Sequence, residues 1–60
     1  MFTLTIETDN AAFGEPGNFE HGEVARLLHK VAHTVAAGFT EGSIIDLNGN
    51  TVGHFNLEED

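Results

Sequence analysis

Four histidines stand among 60 residues, and two of them, His29 and His33, are spaced to share one face of a helix. Imidazoles one helical turn apart give a two-point grip for a divalent metal. The stretch His29-Lys30-Val31-Ala32-His33 lacks the Glu that a zinc protease places directly after its first histidine, and it sets a cation at Lys30. His21 lies at a different angle around the same helix, and His54 belongs to a separate segment. A His29/His33 metal-binding module is therefore one alternative reading, and solvated histidines are the other.

Nucleophilic chemistry has still less to work with. There is no cysteine, and the lone Ser43 has no Gly-rich elbow around it. Gly14-Glu15-Pro16-Gly17 carries no Lys and puts a carboxylate where a phosphate would sit, so it is not a phosphate loop. Asp46-Leu47-Asn48-Gly49-Asn50 lacks both the Asp/Asn spacing and the terminal Glu of a calcium loop. No catalytic residue, no resident metal and no cofactor is expected, and the chain is read as a binding protein and not an enzyme.

The elements that must carry any binding surface follow from periodicity. Phe2, Leu4 and Ile6 alternate with Thr3, Thr5 and Glu7, which is a strand with one buried side. Asp9 to Gly17 gathers the turn-forming residues, with Phe13 as the apolar anchor of that loop. From Phe19 to Ala37, Val24, Leu27, Leu28, Val31 and Val35 recur at intervals of three and four, predicting an amphipathic helix. Asn18 is its candidate N-cap, Glu20 and Glu23 suit the positive end of its dipole, and Gly38 followed by Phe39 predicts a left-handed C-terminal cap.

Ser43–Leu47 and Thr51–Leu57 flank Asn48-Gly49-Asn50, a hairpin signal because Asn and Gly both tolerate positive φ. Only Glu58-Glu59-Asp60 has the look of a frayed tail. The expected fold is α+β, in the order strand-helix-strand-strand, with one helix packed on one face of a three-stranded antiparallel sheet. A right-handed crossover that pairs the first two strands in parallel is the other topology. One helix shields one face, and the hairpin places Ile45, Leu47 and Val52 on one side and Ile44, Phe55 and Leu57 on the other. Either some of these are scattered surface apolar residues or one set forms a contact face for a partner or a second copy.

Size and charge bound the function. Sixty residues make a single domain, 1–60, with a small core and a stability of a few kcal/mol. The absence of cysteine and of any apolar run near 18 residues leaves the cytoplasm as the expected compartment. Ten Asp and Glu face only Arg26 and Lys30, a net charge of -8, which excludes direct nucleic-acid binding and disfavours an anionic membrane. Glu7, Asp9, Glu15, Glu20 and Glu23 run from the end of the first strand to the start of the helix, so part of this acidity should converge at one end. With Asp46 as an outlying contributor and Phe13 as an apolar anchor, these are the candidate partner-binding residues, and the partner they suit is a basic protein surface. Simple solubility or adaptation to high salt would account for the same composition. The chain itself is expected to be a monomer or weak homodimer.

Two segments, Glu7-Thr8-Asp9-Asn10-Ala11-Ala12-Phe13 and Asp46-Leu47-Asn48-Gly49-Asn50-Thr51-Val52-Gly53, together with the helix between them, resemble a group of short acidic proteins carried by bacteriophages, prophages and other mobile elements. The similarity spans nearly the whole chain on short motifs and extends to anti-CRISPR inhibitors of type I effector complexes. It brings no functional residues with it. What it implies is a steric and electrostatic block, in which carboxylates engage the Lys and Arg that otherwise hold nucleic acid. A self-associating module whose charge only maintains solubility is the competing reading.

Overall fold

A computed structural model describes residues 1–59 and has the expected α+β architecture. Five short strands and one long helix appear: β1 (Phe2–Ile6), a 3-10 turn (Ala11–Phe13), β2 (Gly14–Glu15), β3 (Asn18–Phe19), α1 (His21–Ala36), β4 (Glu41–Ile45) and β5 (Thr51–Leu57). The main sheet has the order β1-β5-β4 with both pairs antiparallel, so the crossover topology is ruled out. Strands β2 and β3 form a separate two-stranded ribbon.

Register decides which side chains meet the helix. Phe2 pairs with Leu57, Leu4 with Phe55, and Ile6 with Gly53, while Gly42 and Ile44 oppose Phe55 and Gly53 from β4. These residues share the face beneath α1. Between Ile44 and Ile45 the register slips, because Ile44 faces Gly53 and Ile45 faces Thr51, leaving Val52 as an extra residue on β5. The bulge turns Val52 inward, so Val52, Ile44 and Phe55 are all buried in one core with Ala12, Phe13, Leu27 and Val31. That corrects the expected division, which put Val52 with Ile45 and Leu47 and opposite Ile44 and Phe55.

The other sheet face is polar. Thr3, Asn56 and Glu41 form one cross-strand row and Thr5, His54 and Ser43 the next, with Ile45 the apolar exception. The apolar sheet face anticipated as a contact surface is not there, because alternation on β1 and β5 sends polar residues outward.

The segment before α1 also differs. Asn18 does not cap the helix, because it pairs with Glu15 in the β2–β3 ribbon, whose turn has Pro16 and then Gly17 at φ 82, as a type II turn requires. Phe19 is in that ribbon too, so α1 begins at His21, with Glu20 at the N-cap position and no side-chain capping bond. The C-terminus matches expectation. Gly38 has φ 104, its N–H donates to Val35 O at 3.0 Å, and Phe39 N–H donates to Thr34 O at 3.3 Å, the paired bonds of a Schellman motif.

β4 starts and ends two residues earlier than expected, which moves Asp46 and Leu47 into the turn. Gly49 alone has positive φ there, and its N–H donates to Asp46 O at 3.1 Å while Asp46 N–H donates to Asn50 O at 2.9 Å. This is a three-residue loop closing on a left-handed glycine, and Asn48 is not left-handed. In the expected tail, Glu58 is tied in by its N–H to Met1 O at 2.9 Å, and Asp60 lies outside the described residues.

Candidate functional site

The loop after β1, the start of α1 and the β4–β5 turn meet at one end of the molecule. Glu7 N–H donates to Val52 O at 2.8 Å, Asn10 Nδ2 donates to Asp46 Oδ2 at 2.8 Å, and Leu47 N–H donates to Glu23 Oε2 at 2.9 Å. We call this end the acidic pole. Of the seven candidate partner-binding residues, Glu7, Asp9, Glu15 and Glu20 reach it exposed to solvent. Glu20 at the N-cap makes no capping bond, so its carboxylate stays free beside the positive end of the helix.

The other three are withdrawn from the surface. Phe13 is 1% exposed and, with Leu27, is one of the two most deeply buried large side chains. It anchors the loop into the core and cannot also anchor a partner. Glu23 and Asp46, at 5% and 4% exposed, are occupied internally. Arg26 Nε donates to Glu23 Oε1 at 2.7 Å and Arg26 Nη2 to Glu23 Oε2 at 2.8 Å, a bidentate pair. Asp46 Oδ1 accepts from the N–H groups of Asn48 and Asn50 at 2.9 and 2.8 Å, and its Oδ2 accepts from Asn10. Asn10 in turn uses Oδ1 to accept Ala12 N–H at 2.8 Å, capping the 3-10 turn.

These bonds fix the charge of both carboxyls. The Arg26 guanidinium holds the Glu23 pKa below its ordinary value, against an opposing push from burial. At Asp46 burial alone would raise the pKa, but the donors from Asn50, Asn10 and Asn48 together outweigh it and the value is lowered. Both remain ionised near neutrality as buried ties between loop, helix and turn. The two segments singled out above for their familiar pattern are thus the two halves of a structural clamp, centred on Asn10 and Asp46. Arg26, Asn10 and Asn50 were not foreseen in this role. The available signal was Asp46 two residues before Asn48, the spacing at which an Asp side chain accepts a backbone N–H in a turn.

The remaining polar groups do not assemble a reaction centre. His29 and His33 lie exposed on a flank of α1 shared with Arg26, Lys30 and Thr34. Among the described residues no group of three or more His, Cys, Asp or Glu is placed to hold a metal ion. Their two cations lie on this flank, and Arg26 is already paired with Glu23. The opposite flank of α1 faces β1 across an open apolar groove bounded by Phe2, Leu4, Leu28, Val35 and Leu57. No helix among the described residues is long and apolar enough to cross a membrane.

Compared with protein families, curated proteins and solved structures, the chain has no match in any of the three.

Proposed function

We propose that this protein is a non-catalytic inhibitor that docks its acidic pole on a basic, nucleic-acid-binding protein surface of a bacterial defence complex. The observation that carries the reading is the grouping of Glu7, Asp9, Glu15 and Glu20, exposed at one end, while both cations sit along the helix flank. The type I effector as target is the contribution of the resemblance to short acidic phage proteins.

Charge density sets the scale of the mimicry. Over Met1–Glu59, nine carboxylates less two cations leave seven net negative charges on a long axis of 41 Å. That is about one per 6 Å, against roughly one per 1.7 Å for a duplex and one per 3.4 Å for a single strand. The body as a whole is too dilute in charge to imitate a length of duplex. The acidic pole instead competes locally for a few Lys and Arg, and it blocks access by its bulk.

The test is displacement of target DNA from a purified type I effector complex in a mobility-shift assay. Displacement should weaken as salt rises, and a Glu7→Gln, Asp9→Asn, Glu15→Gln, Glu20→Gln variant should lose it while keeping the wild-type circular dichroism spectrum. Failure to displace DNA from any such effector, or full activity in the quadruple variant, rejects the proposal.

A further inference from the structure

The two edges of the main sheet are unlike. Sheets protect exposed edges with charged side chains, bulges or very short strands. The β4 edge has Glu41 and ends at the slip in register with β5. The β1 edge has neither, since Phe2-Thr3-Leu4-Thr5-Ile6 is five residues of high strand propensity in regular register, without a charge.

The hydrogen-bond phase of β1 shows what that edge offers. Met1 and Glu58 exchange both backbone bonds at 2.9 Å, and Glu7 N–H bonds Val52 O, so the odd-numbered residues of β1 face β5. In an antiparallel ladder the alternate residues then point the other way. The N–H and C=O groups of Phe2, Leu4 and Ile6 therefore project from the free edge. Beside them, on the helix side, lies the open groove, with Phe2 46% and Leu28 47% exposed. A helix about 10 Å wide cannot cover three strands spaced about 4.8 Å apart, and α1 packs toward β4, leaving the β1 strip bare.

We infer that a second copy of this chain pairs antiparallel with the β1 edge, centred on Leu4, to give a six-stranded sheet with both helices on one face. In that register Leu4 meets Leu4 and Phe2 meets Ile6 as hydrogen-bonded pairs, and on the outer face Thr3 meets Thr5, a favourable cross-strand pairing. The two bare strips become neighbours and cover each other. Charge distribution favours this occupant and this orientation. The β1 edge is free of carboxylates between Phe2 and Ile6, and antiparallel pairing sends the two acidic poles to opposite ends of the dimer.

The area is adequate for a modest dimer. The lower bound for a specific interface is about 600 Å² per partner, roughly one-seventh of the 4355 Å² that the chain exposes. Association is therefore concentration-dependent, and because both copies are acidic it strengthens as salt screens them. Binding of the acidic pole to a basic partner has the opposite salt dependence, so the two proposals are tested apart.

Sedimentation over a concentration series at low and high salt should show the 6.5 kDa chain moving toward twice that mass, more readily at high salt. Thr3 and Thr5 are exposed, so Thr3→Lys with Thr5→Lys, and separately Thr3→Glu with Thr5→Glu, place like charges opposite one another without disturbing the core. Each variant alone should stay monomeric, and an equimolar mixture should recover the dimer. In the wild-type chain, amide hydrogen exchange at Leu4 and Ile6 should slow several-fold as concentration rises. A wild-type chain that stays at monomer mass up to millimolar concentration in high salt overturns the inference. So does a dimer that persists in both charged variants, or exchange at Leu4 and Ile6 that ignores concentration.

Discussion

Buried carboxylates make this small protein acid-sensitive at two residues. Glu23 and Asp46 both have folded pKa values below their ordinary 4.5 and 3.8. A depressed carboxyl contributes stability that is present above its unfolded pKa and lost as pH falls through the folded one. The urea midpoint should thus hold steady down to about pH 4.5 and decline below it. Protonation elsewhere relieves self-repulsion and works the other way, so Asp46→Asn separates the effects. That variant should be less stable than wild type at pH 7, with the gap closing by pH 3. The opposite result, a gap that stays constant with pH, would show that the Asp46 charge is not what the clamp uses. Phe13 is the other decisive residue. Its burial beside Leu27 predicts that Phe13→Ala costs about 3–5 kcal/mol, enough to unfold a domain of this size in a thermal melt.

The elements were legible in the sequence where one rule governed them and obscured where two competed. Period-two alternation located β1 and β5, and period 3.6 located α1, because each buries a single face. Asn18 satisfied the rule for an N-cap but also the rule for a residue following a Pro-Gly turn, and the turn prevailed because it forms the β2–β3 ribbon. The bulge at Val52 left no trace, since one extra residue in a β-rich run changes no composition. The candidate site divided in the same way. Exposed Glu7, Asp9, Glu15 and Glu20 were found by charge counting, whereas the burial of Glu23 and Asp46 depended on partners up to 36 residues away. Two glycines test the elements directly. Gly38→Ala meets no neighbour within 4 Å, so it should cost only the left-handed strain, about 1–2 kcal/mol. Gly53→Ala would drive a Cβ against the Thr5 carbonyl and should cost more, by parting β1 from β5. Urea midpoints of the two variants rank these costs.

At the scale of the molecule, repulsion is the dominant long-range force. A net charge of -8 on a body 41 Å long is poorly screened at 0.01 M ionic strength, where the Debye length is about 30 Å, and well screened at 0.15 M, where it is about 8 Å. The melting temperature should rise between those conditions, because relief of general repulsion outweighs the weakening of the single Arg26–Glu23 pair. A flat or falling trend in a thermal melt would mean that the acidic pole is locally compensated and is not available to attract a basic partner.

The pairing of β1 with β5 also dictates an order of assembly. The β4–β5 hairpin and α1 are made from neighbouring residues and close short loops, but Phe2 waits for Leu57, so β1 has no partner until the final strand is in place. Until then the apolar side of Phe2, Leu4 and Ile6 is as open to another chain as to its own. Crowded synthesis is therefore the moment at which this protein is most exposed to misassembly, and prompt closure of its first and last strands is the step that ends the risk.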